Sequence, residues 1–101
     1  MNMIKRWRWL SILRTKSHLS KGFYLDELGR YEEAIKEYDK ALAIDPNDKE
    51  THVGKGIALY YLGRYEEAID EYDKALAIDP NYEIARNNKE LALKELKRFK
   101  K

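Results

Sequence analysis

Residues 28–47 of the chain read LGRYEEAIKEYDKALAIDPN, and residues 62–81 repeat this stretch with one change, Asp70 in place of Lys36. The offset is 34 residues, and comparing residues 15–48 with residues 49–82 gives 23 identities in 34 positions. A repeat of this length indicates stacked copies of one supersecondary unit, each of which buries its apolar face against its neighbours. The repeat therefore determines the architecture of the 101-residue chain.

Each repeat has the apolar spacing of two helices. From Tyr31 to Leu42 the apolar residues recur every three or four positions, which is typical of one helix face, and a second stripe precedes them. Gly29 and Gly63 stand between the stripes, where a glycine ends a helix in the left-handed conformation. The Asp-Pro-Asn that closes each quoted stretch ends the second helix, because proline cannot continue a helix and disfavours a helical residue before it. We therefore expect a helix–turn–helix unit.

This unit resembles the tetratricopeptide repeat (TPR), a family of 34-residue helical repeats. The residues that carry the resemblance are Gly22, Leu28, Gly29, Tyr31, Ala34, Tyr38, Ala41 and Pro46, which recur as Gly56, Leu62, Gly63, Tyr65, Ala68, Tyr72, Ala75 and Pro80. One departure is that His18 and His52 occupy the position where the family often has tryptophan. The resemblance implies an all-α solenoid of about five helices.

The repeat also predicts the organisation of the chain. We expect an N-terminal extension at residues 1–14, a first repeat at 15–48, a second at 49–82, and a closing helix at 83–101. No glycine or proline precedes Gly22, so we predict one long helix from about residue 3 to about residue 28, some 40 Å long. The closing helix resembles the polar-backed helix that ends many TPR arrays and keeps the last apolar face from water.

The charges are unevenly distributed along the chain. Residues 1–25 hold six bases and no acid, residues 26–85 hold sixteen acids and seven bases, and residues 86–101 hold seven bases and two acids. Two basic ends therefore flank an acidic middle, which can direct association with partners.

The extension carries the basic and aromatic residues for which we predict self-association or docking: Ile4, Trp7, Arg8, Trp9, Leu10 and Leu13. Three interpretations stay open for it. It packs as a cap on its own chain, it pairs with a second copy by helix exchange or groove insertion, or it docks on an anionic membrane or nucleic acid. The second interpretation predicts a homo-oligomer, with a dimer as the favoured state.

The residues offer little for catalysis or metal binding. There is no cysteine, and the two histidines lie one repeat apart, which indicates equivalent packing positions rather than a site. No Ser/His/Asp set or phosphate-binding glycine loop can be assembled. We therefore predict that the protein is not an enzyme, takes no metal, cofactor or small-molecule substrate, and is cytoplasmic. Its predicted role is that of a scaffold for protein–protein interaction.

The resemblance implies a concave groove formed by the first helices of successive repeats, which accepts a peptide or a partner helix. The predicted groove residues are Leu19, Phe23, Asp26, Val53, Ile57, Tyr60, Tyr61, Asn87, Asn88 and Leu91. One TPR subclass binds the carboxylate tail of chaperones through lysine, asparagine and arginine, and the matching positions here are Leu19, Phe23, Gly54, Ile84 and Asn88. None of these residues is of the type that the subclass has at that particular position, so we expect an apolar or amphipathic ligand instead.

Overall fold

The structure is a computed structural model that describes residues 3–99, with side chains from Arg8 onward. The described residues form helices and no strand. The helices are α1 (Met3–Glu27), α2 (Tyr31–Ile44), α3 (Lys49–Tyr61), α4 (Tyr65–Ile78) and α5 (Glu83–Phe99). The predicted all-α, TPR-type fold with a long N-terminal helix is confirmed. None of these helices is both long and apolar enough to cross a lipid bilayer.

The two glycine turns have the geometry that the sequence predicts. Gly29 and Gly63 have φ angles of 75° and 79°, which is the left-handed region that glycine adopts without a steric cost. The amide of Gly29 donates to the carbonyl of Asp26 at 3.0 Å, and the amide of Arg30 donates to that of Leu25 at 2.9 Å. These two bonds make a Schellman motif, which satisfies the last carbonyls of α1 and turns the chain into α2.

The Asp-Pro-Asn turns are equally alike in the two repeats. α2 ends at Ile44, where Asp45 is extended and its carboxylate accepts a hydrogen bond from the amide of Asn47 at 3.1 Å. The carboxylate of Asp79 accepts from Asn81 at the same distance. An aspartate that bonds the backbone two residues ahead stabilises a turn, so the chain reverses in the same way after each second helix.

A tyrosine from each second helix locks the helix pair together. Tyr38 and Tyr72 are almost completely buried. A Cβ atom added at Gly56 would lie 2.5 Å from the Tyr72 ring, and one added at Gly22 would overlap the Tyr38 ring in the same way. The glycines are therefore needed because each aromatic ring lies directly against the backbone of the first helix.

The first half of α1 extends beyond the helical stack. Trp9, Leu10 and Leu13 are 60%, 53% and 46% exposed, whereas the residues from Leu19 onward include core positions. α1 is one helix from Met3 to Glu27, and these three apolar side chains of its first half are about half exposed or more. We call residues 8–14 the overhang.

The closing helix differs in part from the polar-backed helix expected. Ala85 and Ala92 pack in the core, but Ile84, Leu91 and Phe99 are about half exposed or more. Lys97 stands 34 positions after Gly63, so α5 has no glycine to end it at that position and continues to Phe99. The last helix therefore presents apolar side chains to solvent as well as to the core.

Candidate functional site

The predicted groove lies on the first helices of the repeats. α3 lies between α1 and α5 and contacts both, while α2 and α4 pack against them as the second helices. We use "groove" for the surface formed by the predicted groove residues of α1, α3 and α5. The structure places these residues in two recesses and leaves three of them elsewhere.

One recess lies between α3 and α5. It measures about 150 Å³ and is lined by Ile57, Tyr60, Tyr61, Tyr72, Asn88 and Leu91. Five of these are predicted groove residues, and Tyr72 is a core residue whose ring forms part of the floor. Tyr61 and Leu91 are 61% and 49% exposed, so the wall of this recess is open to an apolar ligand.

A second recess lies between α1 and the start of α3. It measures about 260 Å³ and is lined by Lys16, Leu19, Ser20, Phe23, Asp48 and Glu50. Leu19 is buried and forms the floor, while Phe23 is 44% exposed and packs edge-on against Tyr38. Asp48 and Glu50 are not among the predicted groove residues. Their position directly after the Asp-Pro-Asn turn was the available signal, since that turn brings the start of α3 beside α1.

Three predicted groove residues do not line either recess. Val53 is 5% exposed and packs in the core with Leu59 and Tyr72, because its side of α3 faces α4 and α5 rather than solvent. Asn87 is exposed but borders neither recess. Asp26 is partly buried and is involved in a contact with the second helix.

The carboxylate of Asp26 is held by the hydroxyl of Tyr38, which donates a hydrogen bond to Oδ2. Its other oxygen, Oδ1, is buried and has no hydrogen-bond partner among the described residues. Burial raises the pKa of Asp26 because it disfavours the charged form, and the Tyr38 hydrogen bond offsets part of that increase. The second repeat has Tyr60 at this position, so the two halves of the groove differ in polarity.

Aromatic rings continue from the groove to the glycine turns. Tyr61 stacks on Tyr31 with ring centroids 5.2 Å apart, and Tyr60 packs edge-on against Tyr65 at 5.3 Å. Tyr65 in turn stacks on Phe99 at 6.0 Å. This ring series includes Phe99, which is not among the predicted groove residues.

A larger recess lies beside this last ring pair. It measures about 510 Å³ and is lined by Gly63, Arg64, Tyr65, Glu66, Glu67, Leu96 and Phe99. The equivalent turn of the first repeat borders a recess of about 280 Å³. Leu96 and Phe99 lie 34 positions after Leu62 and Tyr65, and this spacing was the signal for the recess in the sequence.

The histidines form equivalent contacts in the two repeats. Nδ1 of His18 lies 3.0 Å from Oε1 of Glu37, and Nδ1 of His52 lies 2.9 Å from Oε1 of Glu71. Nε2 of His52 also lies 2.7 Å from the carbonyl oxygen of Pro46. Both neighbours of His52 are acceptors, so both ring nitrogens donate when the imidazole is protonated and the carboxylate is ionised.

The pKa shifts of this pair agree with that geometry. The hydrogen bond to Glu71 is the largest contribution raising the pKa of His52, and burial opposes it. Burial disfavours ionisation of Glu71, but hydrogen bonds from His52 and Lys74 outweigh it and lower the pKa of this carboxyl. The pair therefore holds helices α3 and α4 together. Within residues 3–99 the described side chains form no group of three metal-ligating residues.

The residues predicted for self-association lie on α1. The side chains of Arg8, Trp9, Leu10 and Leu13 belong to the overhang and are exposed. Ile4 and Trp7 lie outside the described side chains. The overhang and the groove are thus separate parts of the surface, and the structure does not bring them together within one chain.

Comparisons with known proteins identify the fold. The sequence profile described as tetratricopeptide repeat matches residues 19–83. A comparison with curated proteins gives no match.

Three solved structures illustrate the likeness. The second TPR of Spaghetti (RPAP3) bound to the HSP90 peptide SRMEEVD is 25% identical, with a TM-score of 0.81 over 84% of this chain and 79% of that one. The Sgt2 TPR domain from Aspergillus fumigatus is 26% identical, with a TM-score of 0.80 over 85% of this chain and 57% of that one. The second TPR domain of human RPAP3 in complex with the HSP70 peptide SGPTIEEVD is 24% identical, with a TM-score of 0.82 over 87% and 73% of the two chains.

The profile covers more than half of the chain, and the helices, glycine turns and tyrosine packing agree with it. The chain belongs to the tetratricopeptide repeat family.

Proposed function

We propose that this protein is a non-catalytic protein-interaction module that binds an apolar or amphipathic peptide or helix in its groove. The observation that carries the proposal is the exposure of Phe23, Tyr61 and Leu91 around two recesses of one face. Apolar side chains clustered around a recess usually mark a binding surface, whereas isolated exposed ones do not. Burying them against a ligand supplies the driving force for binding.

Two of the similar structures support a peptide as the ligand. They are TPR domains bound to the HSP90 peptide SRMEEVD and to the HSP70 peptide SGPTIEEVD. We infer that this chain also binds a peptide segment, but one of different chemistry. The positions that match the chaperone-tail subclass are Leu19, Phe23, Gly54, Ile84 and Asn88, and none of them carries a cation. An acidic tail would therefore find no charged partner at those positions.

The proposal is tested by calorimetric titration of the full chain with two synthetic peptides. One is an amphipathic helix with a leucine face, and the other is the acidic peptide SRMEEVD. We expect the amphipathic helix to bind and the acidic peptide to show no saturable heat, because the groove offers apolar contact and no cation cluster. Binding of SRMEEVD alone would contradict the proposed ligand class.

A groove variant supplies the control for this titration. Replacing both Phe23 and Ile57 by serine should weaken binding of the amphipathic peptide by at least about 30-fold, as loss of one interface hot spot does. Helical content, measured by circular dichroism, should stay near that of the native chain, since both side chains are only partly buried. Full retention of binding by a folded double variant would remove the groove assignment.

The overhang favours a second candidate function. Its exposed Trp9 and Leu13, together with Arg8 and Arg14, suit either self-association or docking on an anionic membrane or nucleic acid. Binding to anionic vesicles or nucleic acid through arginine weakens as salt is raised. Vesicle co-sedimentation at low and high salt therefore tests the docking function separately from groove binding.

A further inference from the structure

The overhang and the groove are both unpartnered in one chain. Trp9, Leu10 and Leu13 of the overhang are about half exposed or more. On the groove, Phe23 is 44% exposed above the recess between α1 and α3. Each surface has apolar side chains that water contacts only at a cost in free energy.

The two surfaces carry opposite charges. Arg8 and Arg14 of the overhang form no ion pair with a described residue, and residues 1–25 hold no acid. The rim of the recess between α1 and α3 carries Asp48 and Glu50, with Lys16 as its one base. Asp48 accepts a hydrogen bond from the Thr51 hydroxyl at 2.6 Å, whereas Glu50 is exposed and has no ion-pair partner in the described part of the chain.

We propose that the partner of the groove is the overhang of a second copy of this chain, and that two copies exchange their overhangs reciprocally. This inference rests on the proposed function, since it names the helix that the groove binds. Trp9 and Leu13 cover the apolar floor formed by Leu19 and Phe23, and the overhang arginines face the Asp48 and Glu50 rim. The contact is isologous, so two copies close into a dimer with no free end.

The dimensions of the two surfaces are compatible. The backbone of α1 before Thr15 covers residues 3–14, about 18 Å of helix at 1.5 Å per residue. Neighbouring packed helices lie about 8–10 Å apart, so this length crosses both steps from α1 to α3 and from α3 to α5. Pairing of two overhangs with each other is disfavoured, because it would bring arginines together with no acid between them.

The first experiment measures the mass of the full chain by light scattering across a concentration series. The native chain should approach twice its 12.0 kDa mass. An overhang variant (Trp9→Glu with Leu13→Glu) and a groove variant (Ser20→Arg with Glu50→Arg) should each dimerise at least about 30-fold more weakly. All four positions are exposed, so neither variant removes a core side chain.

A charge control lies in the second helix. Asp70→Lys restores in the second repeat the residue that the first repeat has at this position, and it lies outside both surfaces. This variant should dimerise like the native chain. A loss of dimer in Asp70→Lys as large as that in the groove variant would overturn the assignment, because any change of net charge would then have the same effect.

Mixing the two variants tests which surfaces meet. The overhang variant keeps an intact groove, and the groove variant keeps an intact overhang. When each variant carries a different fluorophore, the mixture should show energy transfer, because the intact overhang of the groove variant can bind the intact groove of the overhang variant in a one-to-one complex. Neither variant alone should show it. Energy transfer no greater in the mixture than in each variant alone would overturn the proposal, as would a dimer that survives in the groove variant and is lost only in the overhang variant.

Failure of this inference is distinguishable from failure of the proposed function. A monomeric chain that binds the external leucine-face peptide leaves groove binding intact and overturns the second-copy assignment. A monomeric chain whose overhang variant loses binding to phosphatidylcholine–phosphatidylserine vesicles assigns the overhang to a membrane and overturns the inference. If the groove variant dimerises like the native chain and the native chain does not bind the external peptide, both proposals about the groove are overturned.

Discussion

The two repeats are nearly identical in their second helices and different in their first helices. Arg30 and Glu33 make the same paired contact as Arg64 and Glu67, and the Asp-Pro-Asn turns have equal hydrogen bonds. The side chain of His18 is 32% exposed, however, whereas that of its counterpart His52 is 9% exposed. The same residue at the same position of the repeat therefore acquires a different environment, because α3 lies inside the stack and α1 lies at its end.

The largest expected effect tests how alike the second helices are. Replacing Tyr38 or Tyr72 by alanine removes a buried ring that rests on a glycine of the first helix, and each should reduce the free energy of unfolding by about 3–5 kcal/mol. Because the two rings are equally buried, the two losses should agree within about 1 kcal/mol, about the spread expected for equivalent sites. Chemical denaturation measures both, and a much larger difference would show that the repeats are not equivalent even in their cores.

The next effect concerns the histidine that lies inside the stack. His52→Gln removes a buried, charge-assisted contact with Glu71 and should cost about 1.5–3 kcal/mol near pH 6. His18→Gln is the matched control: Nε2 of His18 has no carbonyl acceptor among the described residues and its ring is more exposed, so the cost of this replacement should be smaller. Equal losses at pH 6 would contradict the distinction between the end helix and the inner helix.

The same pair predicts how stability depends on pH. The pKa of His52 is raised, so its contribution is complete below the unfolded value of 6.5 and is lost as pH rises through the folded value. The pKa of Glu71 is lowered, so its contribution is complete above the unfolded value of 4.5 and is lost as pH falls through the folded value. The difference in unfolding free energy between the native chain and His52→Gln should therefore be largest between those two values. A difference that grows as pH rises above 7 would have the wrong sign.

The smallest effect separates the two buried tyrosines by their hydroxyl groups. Tyr38 donates to Asp26, while Tyr72 has no hydrogen bond with a described residue. Tyr38→Phe should cost about 1 kcal/mol, the net contribution of one hydrogen bond, and Tyr72→Phe should be close to neutral. Denaturation of the two variants at the same pH checks this, and a costly Tyr72→Phe would indicate a polar partner for that hydroxyl.

Some of the groove residues could be located from the sequence and others could not. Their positions within the 34-residue repeat predicted Ile57, Tyr61 and Leu91, and the structure places all three around one recess. The same register also selected Val53, which is a core residue. A register assigns residues to positions of the repeat, but the burial of a position depends on which helices pack beside it. Asp48 and Glu50 were missed for the same reason, since they lie at the junction of the two repeats and border a recess that α1 forms with the start of α3.

The sequence by itself determined the local structure of this protein. The 34-residue offset, the glycines with positive φ and the Asp-Pro-Asn turns specify where helices begin and end, because these depend on the conformations that a few neighbouring residues allow. Only the tertiary structure decided that Phe99 stacks on Tyr65, that Pro46 accepts a hydrogen bond from His52, and that the overhang leaves Trp9, Leu10 and Leu13 about half exposed or more. These features depend on the stacking of helices that are distant in sequence, and a helix at the end of a stack lacks the neighbour that buries its equivalent inside.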